Sequence, residues 1–426
     1  MAAYTSNQYC VEKLLVLSES HSIVATQDIF DEQGFKLLAK GASVSRSMQD
    51  RLLLRKLKAP LESSLAVHDG LTVGELLQGA LDLIEQIPAL ECVAGGRGAR
   101  EILREARNLH IPPPLLMLMT CARHADPESY RRTQIVAAIC AGVGAQLNAP
   151  VSDVQTVLVA SALHDLGEIY INPEFVHPQR HLSPREWKHV ATHPHVGQIL
   201  IRNLTSLPPA VIACVGQHHE RHDGSGYPAQ LVRQEQHALS GWIAAADSAA
   251  ALISRGDACG DRVSLALRIV PEEYDKGVAD ALIRSLYALK TKPQSHHGVA
   301  SVAQAQSLLE RLDATGEALN MVSADGGGEA LKDVCSKALE LLNGFAKSLR
   351  ATGILDAGVL SGEDIEDQGL LEEMHNIVSE VKWRMRNLAR NIYMSVEACE
   401  VKALAQFQRV IELLDAAPVS EAGRGG

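Results

Sequence analysis

The sequence predicts a mainly α-helical protein, in which an all-α domain follows a small α+β module and precedes a long helical hairpin or bundle. The chain has 426 residues, and at roughly 100–200 residues per domain this length favours two or three domains. The apolar content rests on Leu, Val, Ile and Ala, and aromatic residues make up only 4%, a composition that favours helices. Segments rich in β-forming residues occur in the first 70 residues, whereas apolar residues spaced three and four apart dominate the later parts.

Composition and charge exclude several classes of protein. Apolar residues make up 46% of the chain and charged residues 21%, which excludes wholesale disorder. The formal net charge of −11 argues against binding to a nucleic-acid polymer, because phosphate binding needs clustered cations. The eight cysteines are scattered and form no CxxC pair, as in a reduced cytosolic protein. Neither a signal peptide nor a membrane span is indicated, so we expect a cytoplasmic protein.

The first 110 residues are predicted to form two parts. Residues 1–70 are expected to be the α+β module, and residues 71–110 a helical connector. Within the module the pattern predicts a β-hairpin over 21–39, a helix over 45–57 and a further strand over 61–67. The proline run at 111–114 is a stiff break, which places a domain boundary there.

Two further helical parts are predicted. Residues 111–290 read as one helix after another, and residues 298–415 form a C-terminal helical region. Apolar steps of three or four residues run through 331–349 and 370–399, which indicates two amphipathic helices. We expect these helices to pair as a hairpin within one chain or to form a homodimer. Residues 416–426 are predicted to be disordered.

Histidines concentrate in one stretch of the helical domain. Ten of the 17 lie between His164 and His237, although this stretch is only 74 residues long. Histidine is the commonest metal ligand among side chains and a frequent acid–base group. The chemistry of the protein is therefore predicted to reside in this stretch.

Four segments contribute to one candidate set of side chains. They are a His-Asp pair at a helix end, a His before a proline, two consecutive His before a Gly/Pro turn, and an Asp in an apolar helix. The set comprises His164, Asp165, His193, His218, His219 and Asp247. Taken singly, His193 is better explained as a structural hydrogen-bonding residue. The two consecutive histidines would be unremarkable as a solvated helix end, but the Gly/Pro turn that follows them favours a site. An unpaired carboxylate buried at Asp247 would be costly, so it is predicted to be protonated, paired with an arginine or bound to a cation.

Together these side chains predict a metal-dependent hydrolase. Mixed imidazole and carboxylate ligands suit Fe, Mn, Zn or Ni. Asp165 is placed to bridge two ions, which would share a hydroxide as nucleophile at neutral pH. A phosphoester is the expected substrate, because the ions would neutralise charge on the phosphoryl oxygens.

The order of these motifs resembles the HD-GYP domain, the bacterial branch of the HD phosphohydrolases that degrades cyclic di-GMP. The motifs read HD, HP, HHERHDGSGYP and AAD in turn, and the resemblance covers about residues 111–289. It implies an all-α domain with iron or manganese ions that hydrolyses cyclic di-GMP to pGpG or GMP in bacterial signalling. All six side chains of the set match metal ligands of the family. Tyr130 stands where some members have a further glutamate ligand, so two ions are expected rather than three.

The resemblance also implies roles for other residues. Asp165 and Glu168 occupy the expected catalytic positions. The loop after the double histidine supplies the expected substrate-binding residues, which are Arg221, Asp223, Gly224, Gly226, Tyr227 and Pro228.

Two departures from the family pattern lead us to expect slow hydrolysis. Glu168 stands where the family usually has a lysine near the substrate phosphate, and Gln134 is assigned to the position of a histidine ligand on the first helix. A phosphate-binding cation has thus become an anion, and one metal would have lost a ligand. Arg221 or Lys188 is expected to replace the lysine in part. The alternative hypothesis is a catalytically degenerate HD-GYP protein that acts as a nucleotide-binding or protein-interaction module. A third is an HD hydrolase that acts on another phosphoester.

Overall fold

The protein is represented by a computed structural model that describes residues 4–255, 260–287, 289, 298–324, 328–352 and 368–415. The predicted fold class is confirmed, because helices dominate and the strands within the described residues are short. One hydrophobic core contains residues from Cys10 to Leu286, a second joins the C-terminal helices, and Leu182, Trp187 and Ala191 form a small third cluster. The predicted disordered tail, 416–426, lies outside the described residues.

The N-terminal module combines short helices with two antiparallel strand pairs. Its elements are α1 (Gln8–Leu17), β1 (Ile23–Ala25), β2 (Ile29–Phe30), β3 (Lys36–Leu38), α2 (Gln49–Leu53) and β4 (Leu65–Val67). Strand β2 pairs with β3 as a hairpin, and β1 pairs with β4. The helix expected over 45–57 is shorter, since only α2 and a preceding 3₁₀ turn form there. Helix α1 was not predicted from the sequence pattern, although Asn7 caps it by accepting from the backbone N–H groups of Tyr9 and Cys10.

The connector and the helical domain pack around one central helix. The connector contains α3 (Val73–Gln86), α4 (Pro88–Ala94) and α5 (Arg97–Glu105). The domain contains α6 (Pro113–Ala125), α7 (Pro127–Gln146), α8 (Val151–Leu163), α9 (Pro173–Val176), α10 (Pro184–Ala191), α11 (His193–Leu204), α12 (Pro209–Gln217), α13 (Ser240–Ile253), α14 (Gly260–Arg268) and α15 (Lys276–Leu286). Helix α7 is the central one, because it is buried over most of its length and packs against α3 to α6, α8 and α13. Its position explains why a side chain on one face of α7 can reach the middle of the domain.

The C-terminal region is a bundle of helices packed on one another. It contains α16 (Gly298–Ala324), α17 (Glu329–Ala351), α18 (Gln368–Cys399) and α19 (Leu404–Asp415). The apolar seam predicted over 370–399 lies on α18, and its members from Met374 to Val396 are buried against the other three helices of the same chain, whereas Cys399 is exposed. Intramolecular packing therefore accounts for the pattern, without a second copy of the chain.

Helix α18 also docks on the helical domain. The Asn391 amide donates to the carbonyl oxygens of Ser225 (2.8 Å) and Gly226 (3.2 Å). The Arg384 guanidinium pairs with Glu273 at 2.6 Å, and both side chains are buried. The C-terminal bundle is thereby held against the loop over residues 223–228 of the domain, which we call the Gly/Pro loop. Among the described residues, no helix is both long and apolar enough to cross a membrane.

Candidate metal centre

Helix ends supply five of the six predicted side chains, and Asp247 comes from the middle of α13. His164 ends α8 and Asp165 follows it, His193 begins α11, and His218 ends α12. A 3₁₀ turn over Leu166–Tyr170 packs directly on α11. A Cβ atom at Gly167 in this turn would lie 2.0 Å from the carbonyl oxygen of His193, so the close approach requires glycine. This approach places Asp165 beside His193.

The side chains of the predicted set form two overlapping groups that could hold metal ions. The first comprises Asp165, His193, His218 and His219, and the second comprises His164, Asp165 and Asp247; within each, the ligand atoms lie within 4.8 Å of one another. Oδ1 of Asp165 lies 3.4 Å from Nε2 of His193 and 3.5 Å from Nε2 of His218. Asp165 belongs to both groups and stands between them.

Hydrogen bonds to the backbone fix the histidine tautomers. The Nδ1 atoms of His164, His193 and His218 lie 2.7, 2.8 and 2.7 Å from the carbonyl oxygens three residues earlier. A carbonyl oxygen only accepts, so each Nδ1 carries the hydrogen and each neutral ring presents a lone pair at Nε2. The Nε2 atoms of His193 and His218 are 3.1 Å apart. When both rings are neutral, two lone pairs at this separation repel each other, and a proton or a metal ion relieves the repulsion.

Unpartnered polar atoms give a second test of whether a metal ion fits. Nε2 of His164, Oδ1 of Asp165 and Oδ1 of Asp247 are buried without a hydrogen-bond partner among the described residues. Nε2 of His164 does lie 3.1 Å from Oδ2 of Asp165, but not in hydrogen-bond geometry. Buried polar atoms are rarely left unpaired unless an ion or water takes them up. The donor set therefore fits a divalent cation.

The electrostatics of the centre favour an ionised Asp165 and neutral rings at His218 and His219, whereas the pKa values of His164 and His193 are raised despite their burial. Burial lowers the pKa of His218 to about 4 and holds the pKa of His219 well below its usual value. Both rings are then neutral near pH 7, the form that binds a metal. Burial also disfavours the charged form of His164, yet the carboxylates of Asp165 and Asp247 raise its pKa to about 10. The position between the carboxylates of Asp165 and Asp247 therefore favours a positive charge.

The side chain of Arg132 of α7 lies between the two carboxylates of the second group, although no sequence motif indicated it. Its Nη2 donates to Oδ2 of Asp165 at 2.6 Å, and its Nε lies 3.8 Å from Oδ1 of Asp247. Burial opposes a charged Arg132, but the Asp165 carboxylate outweighs it and raises the pKa of the guanidinium. An arginine partner for Asp247 was one of the alternatives that the sequence left open, and the structure identifies the residue.

The assignment of Gln134 to a ligand position is wrong. A Cβ atom at Gly79 would lie 1.8 Å from Nε2 of Gln134, so this side chain packs against α3. Residues two apart on an α-helix point to nearly opposite sides, about 200° apart. Arg132 therefore faces the centre on α7 and Gln134 faces away from it.

Glu168 lies on another side of Asp165. With Asp165, Lys13 and Tyr130 it lines a cavity of about 440 Å³ that extends to α1. Burial and the nearby Asp165 charge raise the pKa of the Glu168 carboxyl to about 7. Nζ of Lys13 donates to the carbonyl oxygens of Glu168 (3.3 Å) and Ile169 (3.1 Å). An amine from α1 thus reaches this turn, and no motif in the sequence pointed to it.

Lys188, expected to compensate for the missing lysine, is engaged elsewhere. Its Nζ pairs with Glu397 of α18 at 2.7 Å. Arg221 does lie near the centre and stacks over the Tyr274 ring at 4.8 Å.

The Gly/Pro loop supplies part of a second cavity, of about 610 Å³, that reaches the centre at His219 and Asp247. Of the predicted substrate-binding residues, Arg221, Gly226 and Tyr227 line it. Tyr227 stacks on the His219 ring with centroids 4.6 Å apart. The remaining three are not among its lining residues and belong to the turn. In this turn Asp223 accepts from the backbone N–H and hydroxyl of Ser225, Gly224 has a φ of 78°, and Pro228 follows Tyr227.

A helical domain with a His/Asp centre at converging helix ends defines an HD-type protein. The family model described as an HD domain matches residues 117–281. The motifs by which the sequence resembles the HD-GYP branch, from His164 to Asp247, lie within the matched residues.

Curated relatives are similar to the chain over this domain. A cyclic di-GMP phosphodiesterase of Thermotoga maritima is 31% identical over 143 residues, 33% of this chain and 39% of the relative. A second cyclic di-GMP phosphodiesterase, from Pseudomonas aeruginosa, is 26% identical over 123 residues, 29% and 30% of the two chains. A 3'3'-cGAMP-specific phosphodiesterase of Vibrio cholerae is 31% identical over 105 residues, which are 24% of this chain and 20% of the relative. The chain thus spans between a fifth and two fifths of the length of these relatives.

Proposed function

We propose that the protein is a metal-dependent phosphodiesterase of the HD-GYP type that slowly hydrolyses cyclic di-GMP to pGpG or GMP. One observation carries the proposal: the Nε2 atoms of His193 and His218 lie 3.1 Å apart, and both are within 3.5 Å of Oδ1 of Asp165. A cation is the natural occupant of such a set. The named activities of the curated relatives support a cyclic dinucleotide as substrate.

The first group of ligands would hold the ion, since it offers three imidazoles and a carboxylate. Such a mixed set suits iron or manganese. When bound, the ion supplies an activated water nucleophile and polarises the phosphoryl oxygen. The backbone carbonyls behind His193 and His218 keep both rings aimed at the ion. Tyr227, stacked on His219, limits how the substrate enters.

Arg132 takes the place of a second ion in this proposal. Its guanidinium already neutralises Asp165 and approaches Asp247, the two carboxylates of the second group. A guanidinium carries a single charge and provides no activated water, so the transition state loses part of its charge stabilisation. Glu168 adds a carboxyl group where the family usually has a cation. Both features favour a low rate.

The Arg132–Asp165 contact also favours a second candidate function. If the guanidinium keeps the centre from catalysing, the protein would bind a cyclic dinucleotide without cleaving it and act as a signalling module. The metal ligands and the cavity beside them are compatible with either function.

Metal analysis combined with a product assay tests the proposal. The purified protein is incubated with cyclic di-GMP, and separately with 3'3'-cGAMP, in Mn²⁺ or Fe²⁺, and the products are separated by chromatography. We expect bound metal and slow formation of pGpG or GMP, both lost in a His193→Ala, His218→Ala variant. Bound metal and nucleotide binding without any product would favour the second candidate. A protein that binds neither metal nor nucleotide would contradict both.

A further inference from the structure

The 610 Å³ cavity lies between the helical domain and the C-terminal bundle. His219 and Asp247 form part of one wall, and Lys382, Arg386 and Arg390 of α18 form part of another. Its volume is in the range of small-molecule sites, about 300–1,000 Å³. Helix α18 lies outside the matched HD domain, which ends at residue 281. This wall of the cavity is therefore an addition to that domain.

The cavity is strongly cationic although the chain as a whole is acidic. Eight Arg or Lys side chains and three Asp or Glu side chains line it, in a protein of net charge −11. Two of the arginines are paired, Arg132 with Asp165 and Arg384 with Glu273. Within the described residues, Lys382, Arg386 and Arg390 form no ion pair. We refer to these three as the α18 cationic stripe.

The like charges of the stripe repel one another, and an anion lying against it would relieve this repulsion. Its members are four residues apart, so they share one face of the helix, where like charges repel. Burial and the charges of Arg311 and Arg386 lower the pKa of Lys382. Burial also lowers the pKa of Arg390, to about 10. Nε of Arg390 is buried without a hydrogen-bond partner among the described residues.

Aromatic rings accompany the stripe. The Arg390 guanidinium lies 4.5 Å from the ring centroid of Trp187, and Tyr227 packs edge-on against the same ring. Trp383, next to Lys382, also lines the cavity and is 39% exposed. Flat rings between cations favour a ligand that carries both phosphates and bases.

The stripe is held rigidly over the Gly/Pro loop. Besides the Asn391 bonds to Ser225 and Gly226, Nε2 of Gln230 donates to the Ser395 hydroxyl at 3.0 Å. The Glu397 carboxylate of α18 forms an ion pair with Lys188 of α10. Anchors on both sides of the loop fix the position of α18 relative to the metal centre, as a binding wall requires.

We infer that the α18 cationic stripe binds the second phosphate of a two-phosphate cyclic dinucleotide while the first phosphate lies at the metal centre. This inference rests on the proposed function and extends it, because it assigns substrate binding to the C-terminal bundle. A substrate with one phosphodiester would engage the centre without the stripe.

Binding of cyclic di-GMP to the metal-loaded full-length protein tests the inference. Calorimetry compares the natural chain with a Lys382→Glu, Arg386→Glu variant and with the milder Lys382→Gln, Arg386→Gln variant. We expect the affinity to fall roughly 100-fold or more in the first variant, and less in the second, because charge-assisted contacts to phosphate are lost. Bound metal per chain should stay the same. Arg409→Glu, a reversal on the exposed side of α19, is the matched control and should bind like the natural chain.

A thermal-shift measurement gives an independent readout. A ligand that binds the folded state raises the melting temperature, so cyclic di-GMP should stabilise the natural chain and the Arg409→Glu control far more than the two stripe variants. Equal affinity in the natural chain and the folded, metal-loaded glutamine variant would overturn the inference and leave the proposed function intact. Absence of cyclic dinucleotide binding by the natural chain would overturn the proposed function and, with it, the inference.

Discussion

The guanidinium of Arg132 donates a 2.6 Å hydrogen bond from Nη2 to Oδ2 of Asp165. Its Nε lies 3.8 Å from Oδ1 of Asp247, so it stands between the two carboxylates that, with His164, could hold a metal ion. A guanidinium stays protonated throughout the pH range in which proteins fold. A metal ion at this position must therefore displace a permanent cation of the protein itself.

Replacement of Arg132 should change the number of bound metal ions. We expect the natural chain to hold about one Mn²⁺ or Fe²⁺, and Arg132→His to hold about two, because the variant removes the competing charge and adds an imidazole donor. Elemental analysis of the purified protein measures the ratio directly.

Gln134→His on the same helix is the matched control for this experiment. Gln134 packs against Gly79, so a histidine there should leave the metal content unchanged. A second ion in Gln134→His, with none gained in Arg132→His, would show that the metal does not compete with Arg132.

The local motifs account for much of the candidate centre. His164 with Asp165, and His218 with His219, are adjacent in sequence and lie at helix ends, so short patterns suffice to select them. Arg132 has no such signal. Its role depends on which face of α7 points toward the metal centre. The sequence motif assigned the ligand position to Gln134, which lies on nearly the opposite face of this helix.

Contacts between distant segments explain the other omissions. Lys13 reaches the carbonyl oxygen of Glu168 across 155 positions of sequence, and Asn391 reaches Ser225 across 166. Apolar periodicity predicts that α18 buries a seam, which it does. It carries no information about which polar residues beside the seam meet another domain.

Removal of one imidazole should weaken metal binding. His193→Ala deletes a donor whose Nε2 lies 3.4 Å from Oδ1 of Asp165, so we expect most of the bound metal to be lost. His195→Ala, two residues along the same helix at an exposed position, should retain the natural metal content. Retention of full metal content by His193→Ala, measured by elemental analysis after dialysis, would indicate that the histidine cluster is structural.

The charge at position 168 should influence turnover. Glu168 lines the 440 Å³ cavity on another side of Asp165, so its charge acts on the centre through space and not by contact with a substrate in the 610 Å³ cavity. At an effective dielectric of ~20, one unit charge at ~4 Å contributes about 4 kcal/mol before screening. We therefore expect Glu168→Gln to raise the rate of cyclic di-GMP hydrolysis, and Glu168→Lys to raise it further, by tenfold or more. Initial rates at saturating metal measure the effect, and slower turnover in both variants would show that Glu168 takes part in the reaction.

The buried Arg384–Glu273 pair should be the most sensitive electrostatic contact between α18 and the helical domain. Arg384 is 3% exposed and Glu273 2% exposed, and Arg384 also donates to the carbonyl oxygen of Ala266. Arg384→Met leaves the Glu273 carboxylate buried without its partner, a loss of about 3–5 kcal/mol for pairs of this kind. We expect a clear fall in melting temperature, and partial recovery in the Arg384→Met, Glu273→Gln double variant, which removes the unpaired charge. Lys337→Met, which breaks an exposed pair with Asp333, is the control and should change stability by roughly 0–1 kcal/mol. If Arg384→Met melts like the natural chain, the pair does not hold α18 against the domain, and the wall of the cationic cavity is not fixed in the way described.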